Sequence, residues 1–231
     1  MDQQLQFYID GQWVDPATPR TLDVINPSTE EVIARVSLGS ATDVDRAVQA
    51  ARHAFETFGH SSREERLALL ERVLATYQQH IGDVARAISL EMGAPQWLAK
   101  AAQAPMGVAH LKQAIKVLKD FDFQTVQGTT ATLYEPVGVV GMITPWNWPI
   151  NQMMCKVAPA LAAGCTIILK PSEIAPLSGL LLARVMHEAG APPGGVPQGI
   201  HDRSDTHVSV LARGRPPLRD DAVDVRPVVD A

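Results

Sequence analysis

The stretch Glu135–Glu173, EPVGVVGMITPWNWPINQMMCKVAPALAAGCTIILKPSE, decides the fold. Val137 to Thr144 is a β-rich apolar run. Pro145, Trp146, Asn147, Trp148 and Pro149 then turn the backbone, because proline fixes φ and restricts the residue before it. Pro149 suits the first turn of a helix. Met153, Met154, Val157, Leu161 and Ala162 recur at three- and four-residue spacing up to Gly164, a residue fitted to the position just past a helix end. Cys165 to Leu169 is nearly all apolar, as in a strand buried on both faces of a parallel sheet. Strand, helix and strand make a βαβ unit, and in open α/β sheets ligands lie beyond the carboxyl ends of the strands. Those ends carry Trp146-Asn147 and Lys170-Pro171-Ser172-Glu173, so function is expected there.

Upstream, FYIDGQWV places Asp10-Gly11 between β-formers, and VINPSTEEVIARV holds a second turn at Asn26-Pro27-Ser28; an antiparallel arm is expected. Ser40 to Asp43 reads as an acidic capping box, followed by a helix face of Val44, Ala47, Val48, Ala51 and Phe55. A second helix starts at Ser61 or Ser62, with Leu67, Leu70, Val73, Leu74 and Tyr77 on its apolar face. Ile81 to Met92 reads as a further amphipathic segment stopped by Gly93, and Gln96 to Asp120 as a longer helix with lysines in its last turns. Phe121 to Tyr134 is polar and β-prone around Gly128. Downstream of the βαβ unit, Leu177 to Ala189 forms a last helix with Leu180, Leu181, Ala183, Arg184 and Met186 partly buried and Gly190 as its stop. From Pro197 the composition changes to Arg, Asp, Pro and Val without aromatics or helical period, which reads as a disordered tail. Translation of a GC-rich gene in a shifted frame would give such a segment; a genuine divergent ending is the alternative.

The 231 residues, 46% hydrophobic and 19% charged, exclude disorder throughout. A net charge of −5 without a long basic run gives no footprint for nucleic acid or an anionic membrane, so a small-molecule ligand is expected. The first residues lack a secretory signal and no apolar run is long enough to span a bilayer, which points to the cytoplasm. Cys155 and Cys165 lie inside the apolar pattern with no CxxC, and both read as buried, reduced and structural. Trp146, Trp148, Met142, Met153 and Met154 read as core packing, except where a motif says otherwise. No pair of histidines has metal-ligand spacing, and no metal is expected.

ITPWNWP, a small-residue helix, AAGCTIILKPSE and a Pro-Leu helix, in that order, resemble the N-terminal half of the NAD(P)-dependent aldehyde dehydrogenase superfamily, from about Phe7 to about Val196. The resemblance implies an α/β chain with a partial aldehyde dehydrogenase-like fold: an incomplete Rossmann-type parallel sheet with N-terminal helices and a β arm. Residues 1–120 would hold the arm and helices, 121–135 an oligomerisation-type β segment and 136–196 a partial NAD-binding βαβ unit. Residues 197–231 would be an unrelated tail. The implied reaction is oxidation of an aldehyde to a carboxylic acid with NAD, in a homo-oligomer. For residues 121–134 a plain surface hairpin is the alternative.

A carboxamide N–H at a strand end, held between two tryptophans and two prolines, can donate to an oxygen that gains negative charge, and such a donor is worth about 3 kcal/mol in a finished site. By the resemblance Asn147 is that catalytic donor; the alternative is a turn-forming asparagine. A carboxylate accepts from ribose hydroxyls and repels a 2′-phosphate, so Glu173 favours NAD over NADP. The resemblance gives Lys170 and Glu173 the adenosine ribose, counts Ser172 in the same set, and lines the cofactor cleft with Ile143, Thr144, Pro145 and Trp146. Read without it, Lys-Pro-Ser-Glu is a solvated loop and helix cap. The chain has no G-x-G-x-x-G.

Aldehyde oxidation of this type needs a thiolate, a hydride acceptor and a base. The resemblance draws the thiolate and the glutamate base from segments downstream of Val196 that are not recognisable here, and it assigns neither role to Cys155 or Cys165. The chain as written is therefore expected to be inactive. Alternatives are a non-catalytic interaction protein, or a semialdehyde or acyl-coenzyme A branch of the superfamily.

Overall fold

A computed structural model describes residues 5–193. The N-terminal arm resolves into two separate hairpins. Strands β1 (Phe7–Ile9) and β2 (Gln12–Val14) pair across Asp10-Gly11, which take positive φ of 52° and 75°, the geometry a two-residue hairpin turn demands. Strands β3 (Thr21–Ile25) and β4 (Val32–Ser37) pair antiparallel across the Asn26-Pro27-Ser28 turn, where the Asn26 carboxamide oxygen accepts from the Ser28 N–H at 2.9 Å.

Helix α1 (Ala41–Phe58) starts as the sequence requires. The buried Asp43 carboxylate accepts from the Ser40 N–H at 2.9 Å, the Ser40 hydroxyl at 2.7 Å and the Ala17 N–H at 2.9 Å. Helix α2 (Arg63–Met92) opens on a reciprocal box: Ser62 Oγ accepts from the Glu65 N–H at 3.2 Å and Glu65 accepts from the Ser62 N–H at 2.7 Å. The sequence suggests a break before Ile81, but α2 runs on as one helix. Gly82 is exposed and costs only about 1 kcal/mol relative to alanine. Buried Leu70, Val73, Tyr77, Val84 and Ile88 on one stripe outweigh it.

A short helix α3 (Gln96–Leu98) continues through a π turn, Ala99–Gln103, into α4 (Pro105–Asp120). Pro105 has no N–H to give its helix, and the widened turn, with the Ala104 N–H on the Ala99 carbonyl at 3.0 Å, absorbs it. Strands β5 (Gln124–Gln127) and β6 (Thr130–Leu133) form a hairpin exposed along its whole length.

The expected βαβ unit is present. Strand β7 (Val139–Ile143) runs parallel to β8 (Thr166–Lys170), with α5 (Pro149–Ala162) as the crossover. Helix α5 ends when Gly164, at φ 86°, turns left-handed: its N–H reaches the Leu161 carbonyl at 3.0 Å and the Cys165 N–H reaches the Ala160 carbonyl at 2.9 Å. Helix α6 (Leu177–Glu188) comes after β8. Leu180, Ala183 and Met186 are buried as expected, but Arg184 is exposed, because its position points away from α2 and α5. One hydrophobic cluster ties these pieces together, taking Tyr8 from β1, Tyr77 and Ile88 from α2, Leu111 from α4, Met153 and Met154 from α5, Ile167 from β8 and Met186 from α6. The tail from Pro197 lies outside the described residues.

At the end of α2, Glu91 is buried and accepts from the backbone N–H groups of Leu177 at 2.5 Å and Ser178 at 3.0 Å, and from the Ser178 hydroxyl. Burial pushes its carboxyl up to about 7 from 4.5, against the three donors, which favour the ionised form. The folded chain therefore holds this proton more tightly than the unfolded chain. Stability falls as pH rises from about 4.5 to about 7 and is level above, by up to about 3 kcal/mol. Urea midpoints across that range should show the slope, and Glu91→Gln should remove it.

Candidate active site

The parallel register pairs Ile143 with Lys170, so the two strands end side by side. The Thr144 N–H on the Lys170 carbonyl at 3.2 Å carries the pairing one residue further. This brings Thr144–Asn147 and Lys170–Glu173 together at one sheet edge, as the sequence predicts. Ile143 is 45% exposed and Trp146 50%, and together they present an apolar wall beside exposed Pro145. Thr144 and Ser172 are buried. The Ser172 hydroxyl accepts from the Ile174 N–H at 3.3 Å and holds the loop. Lys170 Nζ stands 3.7 Å from Glu173 Oε2, both partly buried, and the pair keeps a cation and a carboxylate at the rim. The edge thus offers a donor and an acceptor beside an apolar wall, chemistry that fits a ligand carrying hydroxyls next to a flat apolar ring.

Asn147 is exposed in the bend that joins β7 to α5. The next residue, Trp148, takes φ 57° and ψ 59° and serves as the N-cap of α5, with Pro149 in the first turn. A tryptophan in this left-handed region costs of order 1–3 kcal/mol and persists only where the surroundings impose it. Its effect is to reverse the chain at once and leave Asn147 at the helix N-terminus, where the dipole favours negative charge. Trp146 and Trp148, the latter 38% exposed, are therefore not core residues, which for Trp148 corrects the sequence reading. The turn geometry directs both rings outward, whereas Met142, Met153 and Met154 are buried as expected.

The cysteines part company. Cys165 is buried, but Cys155 is exposed on α5, a correction to the expectation that both are buried. Its position falls on the stripe of Asn151 and Pro159, away from buried Met154, Val157 and Ala158. There it lines a cavity of about 380 Å³ with His110, Val117, Phe121 and Phe123. Cys155 lies six residues beyond Pro149, about 9 Å along the helix axis, and Cys165 precedes the opposite end of β8 from Lys170, so neither thiol stands at the Asn147 edge. A thiol reagent added to the folded chain should label Cys155 and leave Cys165 untouched until denaturant is added, which peptide mass analysis would read directly.

Sequence reasoning missed Glu91 and the backbone of Trp148. Glu91 carried a signal: it comes after Val84 and Ile88 on the apolar stripe of α2, where an acid is out of place unless it caps something. Among the described residues no cluster of His, Cys, Asp and Glu could hold a metal ion, and no helix is long and apolar enough to cross a membrane.

Comparison with known proteins bears on this edge. Residues 13–213 match the aldehyde dehydrogenase family, a span that runs past Val196 into the tail. A 3-succinoylsemialdehyde-pyridine dehydrogenase from a Pseudomonas species is 53% identical over 190 residues, covering 82% of this chain and 40% of that protein. The crystal structure of an aldehyde dehydrogenase from Bartonella henselae superposes with a TM-score of 0.85 at 48% identity, over 87% of this chain and 43% of that one. Aldehyde dehydrogenase C from Pseudomonas syringae, a cysteine-to-alanine mutant in complex with NAD+ and octanal, gives 0.85 at 48% identity, over 87% and 41%. The chain thus spans about two fifths of the length of the relatives it matches. With that match over most of its length and the same fold in relatives nearly half identical to it, the chain belongs to the aldehyde dehydrogenase family.

Proposed function

We propose that this chain supplies the oxyanion donor and one wall of the nucleotide cleft for NAD-dependent oxidation of an aldehyde to a carboxylic acid. The observation that carries the reading is the juxtaposition, at the carboxyl edge of β7 and β8, of Asn147 at a helix N-terminus with the Lys170–Glu173 pair. As a nucleophile adds to the carbonyl, charge builds on its oxygen, and the Asn147 carboxamide N–H donates to it, assisted by the α5 dipole. Lys170 and Glu173 take the adenosine ribose hydroxyls, and Ile143, Thr144, Pro145 and Trp146 wall the cleft. Bound NAD supplies the hydride acceptor. The Glu173 carboxylate disfavours a 2′-phosphate. Identity of 53% to a dehydrogenase named for a pyridine-bearing semialdehyde supports a semialdehyde substrate. The exposed β5–β6 hairpin is the surface that would join subunits, and the cytoplasm is the proposed compartment.

Among the described residues neither thiol stands at the nucleophile's place, since both lie away from Asn147. The purified 231-residue chain, given NAD and octanal, should form no reduced nicotinamide, and calorimetry should show NAD bound more tightly than NADP. Turnover abolished by Cys155→Ser would overturn the assignment of the thiols. Equal affinity for the two nucleotides would remove the role of Glu173.

A further inference from the structure

The loop between β8 and α6 is short, residues 171–176, and it carries the carboxylate that the proposed nucleotide site depends on. Its first end is fixed by the β7–β8 ladder and by the Thr144 N–H on the Lys170 carbonyl. Its second end is the first turn of α6, whose N-cap, Pro176, has no side-chain acceptor for the orphan N–H groups of that turn. Glu91 caps them instead, from 86 residues upstream, with both carboxylate oxygens engaged. Glu91 itself is anchored at the end of α2, where Gly93 turns left-handed at φ 74° against Pro27 and a Cβ would stand 2.8 Å from the proline ring. The start of the loop is locked onto α6 as well, because Pro171 packs over Gly179, 2.7 Å from where a Cβ would lie. With both ends fixed, Ser172, Glu173 and Ile174 between them have little freedom.

We propose that Glu91 is a positioning residue for the nucleotide loop: by capping α6 across the fold it sets where Glu173 meets the ribose beside Lys170. The nucleotide half of this inference rests on the ribose role given to those two residues above; the loop half does not. A glutamine at 91 keeps the shape but turns an N–H₂ toward donors, so the first turn of α6 loses acceptors while α2 and the sheet keep their contacts.

The test uses the full chain and two readouts. Hydrogen exchange is measured at the amides of Ile174, Ala175, Leu177 and Ser178, and the affinity for NAD and AMP is measured by calorimetry, in the wild type, Glu91→Gln and Ser178→Ala. Exchange at those four amides should rise by about tenfold in Glu91→Gln, with the α2 and β7–β8 amides unchanged, and less in Ser178→Ala, which removes one donor and spares the backbone pair. NAD and AMP should both bind about tenfold more weakly to Glu91→Gln. Exchange that rises uniformly over the chain, or loop exchange that stays at the wild-type level, would overturn the positioning role. If Glu91→Gln fails to fold, Ser178→Ala decides the same point. Wild-type chain that binds neither NAD nor AMP would sink the ribose reading of Lys170 and Glu173, while the exchange data still decide whether Glu91 orders the loop.

Discussion

Asn147→Ala, placed in a chimera that joins residues 13–193 of this chain to the remainder of the Pseudomonas syringae aldehyde dehydrogenase C, should lower kcat by about 10²–10³-fold with octanal. The KM for NAD should stay near its starting value. In the proposed role the carboxamide donates to an oxygen whose charge exists only in the transition state, so its loss would remove stabilisation from that state alone and leave ground-state binding in place. The fold match at a TM-score of 0.85 is what permits the join. If Asn147 merely turned the chain, its replacement would lower the melting temperature and the yield of folded enzyme, and kcat per folded molecule would be unchanged. Asn147→Asp makes the two roles diverge further. Aspartate is an equally good turn residue but places a negative charge at the developing oxyanion, so activity should fall at least as far as with alanine.

Gly107→Leu should cost the chain about 3 kcal/mol or more, read as a lower urea midpoint at an unchanged denaturant slope. Gly107 is buried on α4 where that helix crosses α2, and a Cβ there would overlap the Tyr77 ring. Tyr77 cannot yield, because it is fully buried and its hydroxyl donates to the Ala104 carbonyl at 2.7 Å across the π turn. Its phenol is pushed far up by the same burial. Leucine must therefore force α4 off α2. Gly82→Ala is the counterpart: that glycine sits in an exposed helix interior with nothing near its would-be Cβ, and alanine there should raise stability by about 1 kcal/mol. A loss at Gly82 or no loss at Gly107 would contradict the packing described.

Much of the fold could be read from local signals. Asp10-Gly11, the Ser62 and Glu65 box, Pro149 and Gly164 each act through their own backbone or a neighbour within four residues, and each marks an element edge where expected. The βαβ unit follows from periodicity, since a buried parallel strand must be apolar throughout and its crossover helix must show an apolar stripe. The strand ends of that unit put Asn147, Lys170 and Glu173 at one sheet edge, a juxtaposition that the parallel register reproduces. The linked motifs ITPWNWP and AAGCTIILKPSE, in that order, carried the family resemblance.

Tertiary structure decided the rest. Whether α2 breaks at Gly82 depends on the summed burial against α4, α5 and α6, a sum no window of sequence contains. Cys155 and the two tryptophans are apolar in type, and a residue's type does not say which way a turn or a helix stripe will face. Trp148 faces solvent where the chain takes a left-handed turn, and Cys155 because α4, which reaches the same stripe through His110 and Asn151, leaves an open cavity beside the thiol. The cap that Glu91 gives α6 joins residues 86 positions apart, so only the folded chain brings donor and acceptor within hydrogen-bond reach.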